Sequence, residues 1–310
     1  MFSELQIIIE FILIFILTAL TSGNNLSVCS GTLISSRIVR RIYGVLIGIL
    51  GYLMGLLFEG SFLRSSISKI VLTGNQYFIF IVFSISIVIF LFAHKKRVPE
   101  SLSITFTSAL LGVSFAYGNI NINFTYLIII FWILAAILSF VLSYLMMHWL
   151  KRLTPKKNIW RSISAFRVTL ILLAFFTSFT LGANTIGLIY ASLPKNPLFL
   201  FVIILGIVFG SIFLSSGEIK RIGNDIIPLR YANAVVTQFV SVLLVEIATF
   251  FGVPLSNTQT LTSGIYGAGS SYKTKLILKK PLFTIVFTWI FTAVISFLCA
   301  YISTILIFHF

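Results

Sequence analysis

The sequence predicts an all-α, polytopic integral membrane protein. About ten transmembrane segments form two inverted five-segment repeats with broken or re-entrant helices. Three observations carry this reading. The 310 residues are 58% hydrophobic and only 9% charged, with a mean hydropathy of +1.09. A soluble domain carries about 25% charged residues, so this chain could not cover a water-facing surface. Its basic residues cluster between apolar runs, and its second half repeats the segment order and polar patches of the first.

The apolar runs follow in order. The first covers about Leu5 to Leu20 and passes through polar Thr21-Ser22-Gly23-Asn24-Asn25 into a softer stretch ending near Ser36. Glu4 precedes it, with no Lys or Arg and no small-x-small cleavage site, so it reads as a membrane segment and not a removed leader. Next come about Ile42 to Phe58, Tyr77 to Phe92, a short Ile104 to Tyr117 and a long Ile122 to Met147. Beyond a basic linker lies about Val168 to Ala191, interrupted by Gly182-Ala183-Asn184-Thr185. Leu198 to Leu214, Ala232 to Phe251, a short Thr258 to Ser271 and Pro281 to Phe310 complete the set. The short runs are candidates for re-entry.

Charge placement orders these segments. Arg37, Arg40 and Arg41; Lys95, Lys96 and Arg97; Lys151, Arg152, Lys156, Lys157, Arg161 and Arg167; Lys220, Arg221 and Arg230; and Lys273, Lys275, Lys279 and Lys280 define five basic loops. With one crossing per segment and the central linker in the cytoplasm, all five fall inside, leaving Arg64, Lys69 and Lys195 outside. Both termini then lie on the extracytoplasmic side of a multi-pass cell-membrane protein. An odd number of crossings per half forces inverted topology: an N-terminal repeat (1–150), a basic cytoplasmic linker (151–167) and a C-terminal repeat (168–310). The net charge of +15 is accounted for by orientation and lipid headgroups, so no nucleic-acid partner is expected.

Four polar patches stand out. Val253-Pro254-Leu255-Ser256-Asn257-Thr258-Gln259-Thr260 leads into small residues with Gly264, Gly267 and Gly269; about 155 positions upstream, Val98-Pro99-Glu100-Ser101-Leu102-Ser103-Ile104-Thr105 echoes it. Proline suits the first turn of a helix, and behind it free N–H groups carry a partial charge of about +0.5. Such an end attracts anions, and Ser256, Asn257, Thr258 and Gln259 add uncharged donors. Hydroxyl and small residues also glue helices without binding anything. Two such motifs and two Gly/Asn interruptions, placed symmetrically, favour a site. A basic side chain at membrane depth would cost about 3 kcal/mol, and none occurs in the core of these patches.

These patches resemble the inorganic phosphate transporter (PiT) family, whose two inverted repeats each carry a Gly-Ala-Asn-Asp-Val-Ala-Asn-type and a Pro-Val-Ser-Thr-Thr-His-type stretch. Pro254 to Thr260 matches the second stretch, as do Pro99, Ser101, Ser103 and Gly112 in the first half. Gly182-Ala183-Asn184-Thr185 matches the first stretch, with Ser22-Gly23-Asn24-Asn25 and Gly31-Thr32 as its counterpart. The resemblance spans nearly the whole chain. It implies a secondary transporter of an inorganic oxyanion, phosphate before sulfate, working by alternating access between the repeats. Its anion-binding residues would be Asn24, Asn25, Ser101, Ser103, Asn184, Thr185, Ser256, Asn257, Thr258 and Gln259.

The departures concern coupling. The family's acidic residue is Asn25 in one half and Thr185 in the other, and its histidine is Ile104 and Gln259. Asn and Thr offer a cation oxygen without charge, so the choice between Na⁺ and H⁺ as coupling ion stays open. Fewer negative charges also make the site friendlier to a dianion such as sulfate. Glu4 and Glu10 sit near the start of the first segment, Glu59 and Glu100 border loops, and Glu218 and Asp225 lie in a basic loop. Glu246, inside a segment, is the coupling-ion candidate.

Other classes find less support. Ser101 and Ser256 have no His or carboxylate at a recognisable spacing, so no enzyme and no catalytic residue is expected. His94, His148 and His309 fall at segment ends, and Cys29 and Cys299 form no disulfide framework or metal spacing. Neither a metal nor another cofactor is expected. The partners are the anion and lipid, with a homodimer left open; a passive anion channel or a non-transporting subunit is the alternative class.

Overall fold

Twelve helices account for nearly all of the described chain in this computed structural model, which describes residues 2–35, 38–70, 77–96, 100–153, 159–215, 231–271 and 279–308. They are α1 (Phe2–Ser35), α2 (Arg41–Glu59), α3 (Arg64–Ile70), α4 (Tyr77–Lys96), α5 (Leu102–Ala116) and α6 (Ile122–Leu153). α7 (Ile159–Leu181) runs through a π turn (Gly182–Ile186) into α8 (Gly187–Ser192), and α9 (Pro197–Phe209) ends in a second π turn (Gly210–Leu214). α10 (Tyr231–Phe250), α11 (Asn257–Ser270) and α12 (Lys279–Phe308) follow. Pro99, Arg37, Arg97, Lys156, Lys157, Lys220, Arg221, Arg230, Lys273, Lys275, Glu218, Asp225 and His309 lie outside the described residues.

Among the described residues, seven helical stretches are long and apolar enough to cross a membrane: 4–31, 41–59, 122–152, 164–192, 197–214, 231–250 and 286–308. α4 and α5 are apolar but shorter. Local chemistry sets several ends. Asn196 caps α9 by accepting from the Leu198 N–H at 2.9 Å, with Pro197 in the first turn where its missing N–H costs nothing.

The expected break in the first segment does not occur, because α1 runs unbroken through Thr21 to Asn25. Its hydroxyls explain this. Thr18 and Thr21 donate to the carbonyls of Ile14 and Leu17, each at 2.7 Å, so the polar side chains are satisfied without leaving the helix. The interruption at Gly182 takes the form of a π turn, which widens the helix without ending it.

The packing exchanges partners along the chain. α1 packs along α9 and α2 along α7; α5 packs along α12 and α11 along α6. Glycines permit the close crossings. A Cβ at Gly112 of α5 would collide with the Phe297 carbonyl of α12, and one at Gly267 of α11 with the Phe140 carbonyl of α6. Residues 101–114 are all buried, so protein surrounds α5 on every side. α6, by contrast, exposes Ile130, Ile133, Ile137 and Leu145, an apolar face suited to lipid.

Candidate functional site

Asn184 is fully buried at the centre of the first π turn. Its Nδ2 donates to Thr249 Oγ1 at 2.9 Å and to the Val253 carbonyl at 3.1 Å, while its Oδ1 accepts from the Leu255 N–H at 3.0 Å. One amide therefore ties the π turn to the end of α10 and to the strand-like entry of α11. Both its N–H groups are spent within the protein.

The next residue makes the second tie. Thr185 Oγ1 and Ser103 Oγ lie 3.4 Å apart, joining the π turn to the first turn of α5. Two short helices thus bring their N-terminal ends to one π turn: α5 through Ser103, and α11 through Leu255 just ahead of its cap. Each end carries N–H groups with no partner inside the helix.

The two ends differ. Ser256 caps α11, its Oγ accepting from the Gln259 N–H at 3.1 Å and lying 3.1 Å from Thr258 Oγ1. Ser101 occupies the same place on α5 but makes no side-chain cap bond. Behind α11, Ser241 Oγ donates to Asn257 Oδ1 at 2.5 Å and lies 2.7 Å from Thr260 Oγ1, and Trp132 Nε1 donates to the Pro254 carbonyl at 2.9 Å. The Asn257 Nδ2 and the Gln259 Oε1 are buried without a hydrogen-bond partner. An orphaned amide donor at an anion-attracting helix end is a group with unspent binding capacity.

The first-half asparagines stand differently. Asn25 is buried and Asn24 half-buried, and Asn24 Nδ2 reaches Asn25 Oδ1 at 3.4 Å. Their backbone carbonyls accept from Ser27 Oγ at 2.6 Å and Cys29 Sγ at 3.3 Å, so this patch is bonded within α1. Its links outward run through neighbours: Tyr52 of α2 donates to the Ser22 carbonyl at 3.5 Å, and Gln238 of α10 to the Cys29 carbonyl at 3.3 Å. Ser103, Thr185, Asn184 and the Pro254 stretch are directly connected; Asn24 and Asn25 join them only through helix packing.

Several residues here escaped the sequence reading. Ser241 and Thr249 of α10 support the site from behind; with Thr237 they form a hydroxyl row at helical spacing, a signal that was available. Glu100 borders a connection in the sequence yet is only 2% exposed. Burial pushes its carboxyl up to about 7, against the pull of the Thr105 hydroxyl, the Ser101 N–H and Thr292. Glu246 is half-buried on α10 and lies near Glu59 at the end of α2, and its Oε2 is buried without a hydrogen-bond partner.

A model of the phosphate transporter family matches residues 21–300. A Methanocaldococcus jannaschii protein named as a phosphate permease is 26% identical over 304 residues, 96% of each chain. A Bacillus subtilis protein named as a low-affinity inorganic phosphate transporter is 26% identical over 64% of this chain and 65% of its own. The sulfate permease CysP of Bacillus subtilis is 22% identical over 86% and 78%. Among solved structures, the sodium-dependent phosphate transporter superposes with a TM-score of 0.80 at 17% identity, covering 97% of this chain and 98% of that one, which establishes a shared fold.

Proposed function

The chain belongs to the phosphate transporter family, and we propose from that premise that it carries inorganic phosphate as a secondary transporter, by alternating access between two inverted repeats. It is a multi-pass membrane protein whose relatives are permeases and transporters, not enzymes. The repeats are 1–150 and 168–310, joined by the basic segment 151–167, with both termini outside. The exchange of partners supports this division: α1 with α9 mirrors α7 with α2, and α5 with α12 mirrors α11 with α6.

The observation that carries the reading is the meeting of two helix N-termini at one π turn, through Ser103–Thr185 and Asn184–Leu255. Together such ends offset a charge of about −1 without a buried Lys or Arg, which leaves the anion releasable. Ser101, Ser103, Thr185, Ser256, Asn257, Thr258 and Gln259 supply the donors; Asn184 holds the two walls together; Asn24 and Asn25 close the site from α1. Glu246, near Glu59, is the carboxylate of the second half suited to a coupling cation, Na⁺ or H⁺. Sodium dependence of the structural relative accords with Na⁺.

Sulfate is the second reading, favoured by one observation: Asn25 and Thr185 replace the acidic residues expected there, which removes repulsion against a dianion. Uptake of labelled phosphate and sulfate into proteoliposomes, under a Na⁺ gradient, a pH gradient or none, tests both. Saturable phosphate uptake, inhibited weakly by sulfate, is expected. Preference for sulfate would favour the second reading, and conductance without saturation would replace the transporter with a channel.

A further inference from the structure

Glu100 stands at a position where an acid is out of place. The stretch Pro99-Glu100-Ser101 aligns with Pro254-Leu255-Ser256, so its counterpart in the second half is Leu255, buried and apolar. A carboxyl group removed from water costs several kcal/mol when charged unless it is paired. Among the described residues Glu100 has no cationic partner. Its Oε1 accepts from Thr105 Oγ1 at 2.5 Å, and its Oε2 is buried with no hydrogen-bond partner. Close by, Trp289 of α12 packs against Ile104, and its indole Nε1 is likewise buried without a partner.

The elements packed on α5 include α12, α4, α3 and the first π turn, and Trp132 of α6 packs on the Ile104–Trp289 cluster, with that helix's Lys151 and Arg152 in its last turn. The π turn has no charged residue. On α3, Arg64 donates to the Leu193 carbonyl and Lys69 lies over the Phe124 ring. On α4, Lys95 is exposed; α12 brings Thr292 toward Glu100, with Cys299 and Tyr301 farther along. The remaining basic groups of these helices, His94, Lys96, Lys279 and Lys280, have side chains outside the described set. The Thr105 hydroxyl therefore favours the carboxylate, while burial favours the acid.

We propose that Glu100 is the proton-binding group coupled to the anion site: its carboxylate takes up one proton when the anion arrives and releases it on the far side. This rests on the transporter reading and adds to it a proton site in the first half, distinct from the Glu246 carboxyl of the second. The coupling is electrostatic. Glu100 lies three residues before Ser103, so the carboxyl, bonded to Thr105, belongs to the same helix end at which an anion would be held. Each negative charge opposes the other; protonating Glu100 favours the anion, and by reciprocity the anion favours the proton. Only an O–H bond is made and broken.

The test uses the full chain in proteoliposomes and two readouts, phosphate exchange at equal pH and accumulation under an inward proton gradient. At one proton per anion, a gradient of about one pH unit supports about tenfold accumulation in the wild type. Glu100→Gln should keep exchange and lose accumulation. Because phosphate itself titrates near neutrality, the comparison is made with the same substrate in both proteins, and repeated with sulfate, which does not. Glu100→Leu, the residue of the second half, makes the same test should the glutamine variant not fold. Unchanged gradient response in either variant, or loss of exchange along with it, overturns the assignment. Wild-type protein that exchanges phosphate but ignores the gradient overturns it without any variant. Wild type with no exchange sinks the transporter reading instead.

Discussion

The hydroxyls of Ser103 and Thr185 lie 3.4 Å apart across 82 residues of chain, and either can be the donor. Such a pair holds one proton in the bond and leaves the other free for a third group. An anion at this point would take the free hydroxyl proton at the start of α5, and the second one only by opening the Ser103–Thr185 bond. Ser103→Ala and Thr185→Ala are each expected to weaken phosphate binding by about tenfold, the value of one such hydrogen bond. Calorimetric titration in detergent reads this directly; unchanged affinity in both variants would remove the π turn from the site.

Asn184 belongs to the fold as much as to the site. Asn184→Ala strands the buried Leu255 N–H and the Val253 carbonyl, so a loss of about 2–4 kcal/mol is expected. Asn184→Asp keeps the acceptor for Leu255 and loses both donors, which should place it lower than wild type by a different route. Thermal unfolding of the purified proteins measures both. Full stability in the alanine variant would contradict the clamp.

Asn257 offers a cleaner probe of charge. Its Oδ1 accepts from Ser241, and its Nδ2 is the buried donor with no partner. Asn257→Asp preserves shape and the Ser241 bond while turning that donor into an anion. Phosphate affinity should fall by at least about tenfold, more steeply at low salt. Equal binding would show that this side chain faces away from the ligand.

Glu100 predicts a pH signature in stability as well. In the unfolded chain it ionises near 4.5, and in the folded protein at about 7. Across that window the native state holds the extra proton, so stability falls as pH rises from 4.5 toward 7 and levels off above. Melting temperature followed against pH should lose this component in Glu100→Gln. The same slope in both proteins would mean that Glu100 ionises normally.

Much of this architecture could be read from apolar spacing alone. The runs beginning near Ile42, Tyr77, Ile122 and Ala232 became α2, α4, α6 and α10 with ends shifted by a few residues. Asn184 was legible as an interruption because it is the one amide side chain in its segment and follows Gly182 by two residues. The equally polar Thr21–Asn25 passage stayed helical because its hydroxyls bond back to the preceding turn, a local satisfaction that composition does not reveal. Burial of Glu100 depends on α12 wrapping α5 from nearly two hundred residues away, and the Glu59–Glu246 contact joins α2 to α10. α3, only seven residues long, carries too little pattern to stand out.

On the proposed function, the two helix ends that meet at Thr185 and Asn184 make one alternately exposed phosphate site. Counterflow tests it most directly: proteoliposomes holding the purified chain are loaded with unlabelled phosphate and placed in a trace of labelled phosphate. The account predicts a transient overshoot of internal label that saturates with the loading concentration and is reduced in Thr185→Ala. Label that equilibrates without overshoot, at a rate proportional to concentration, would contradict it.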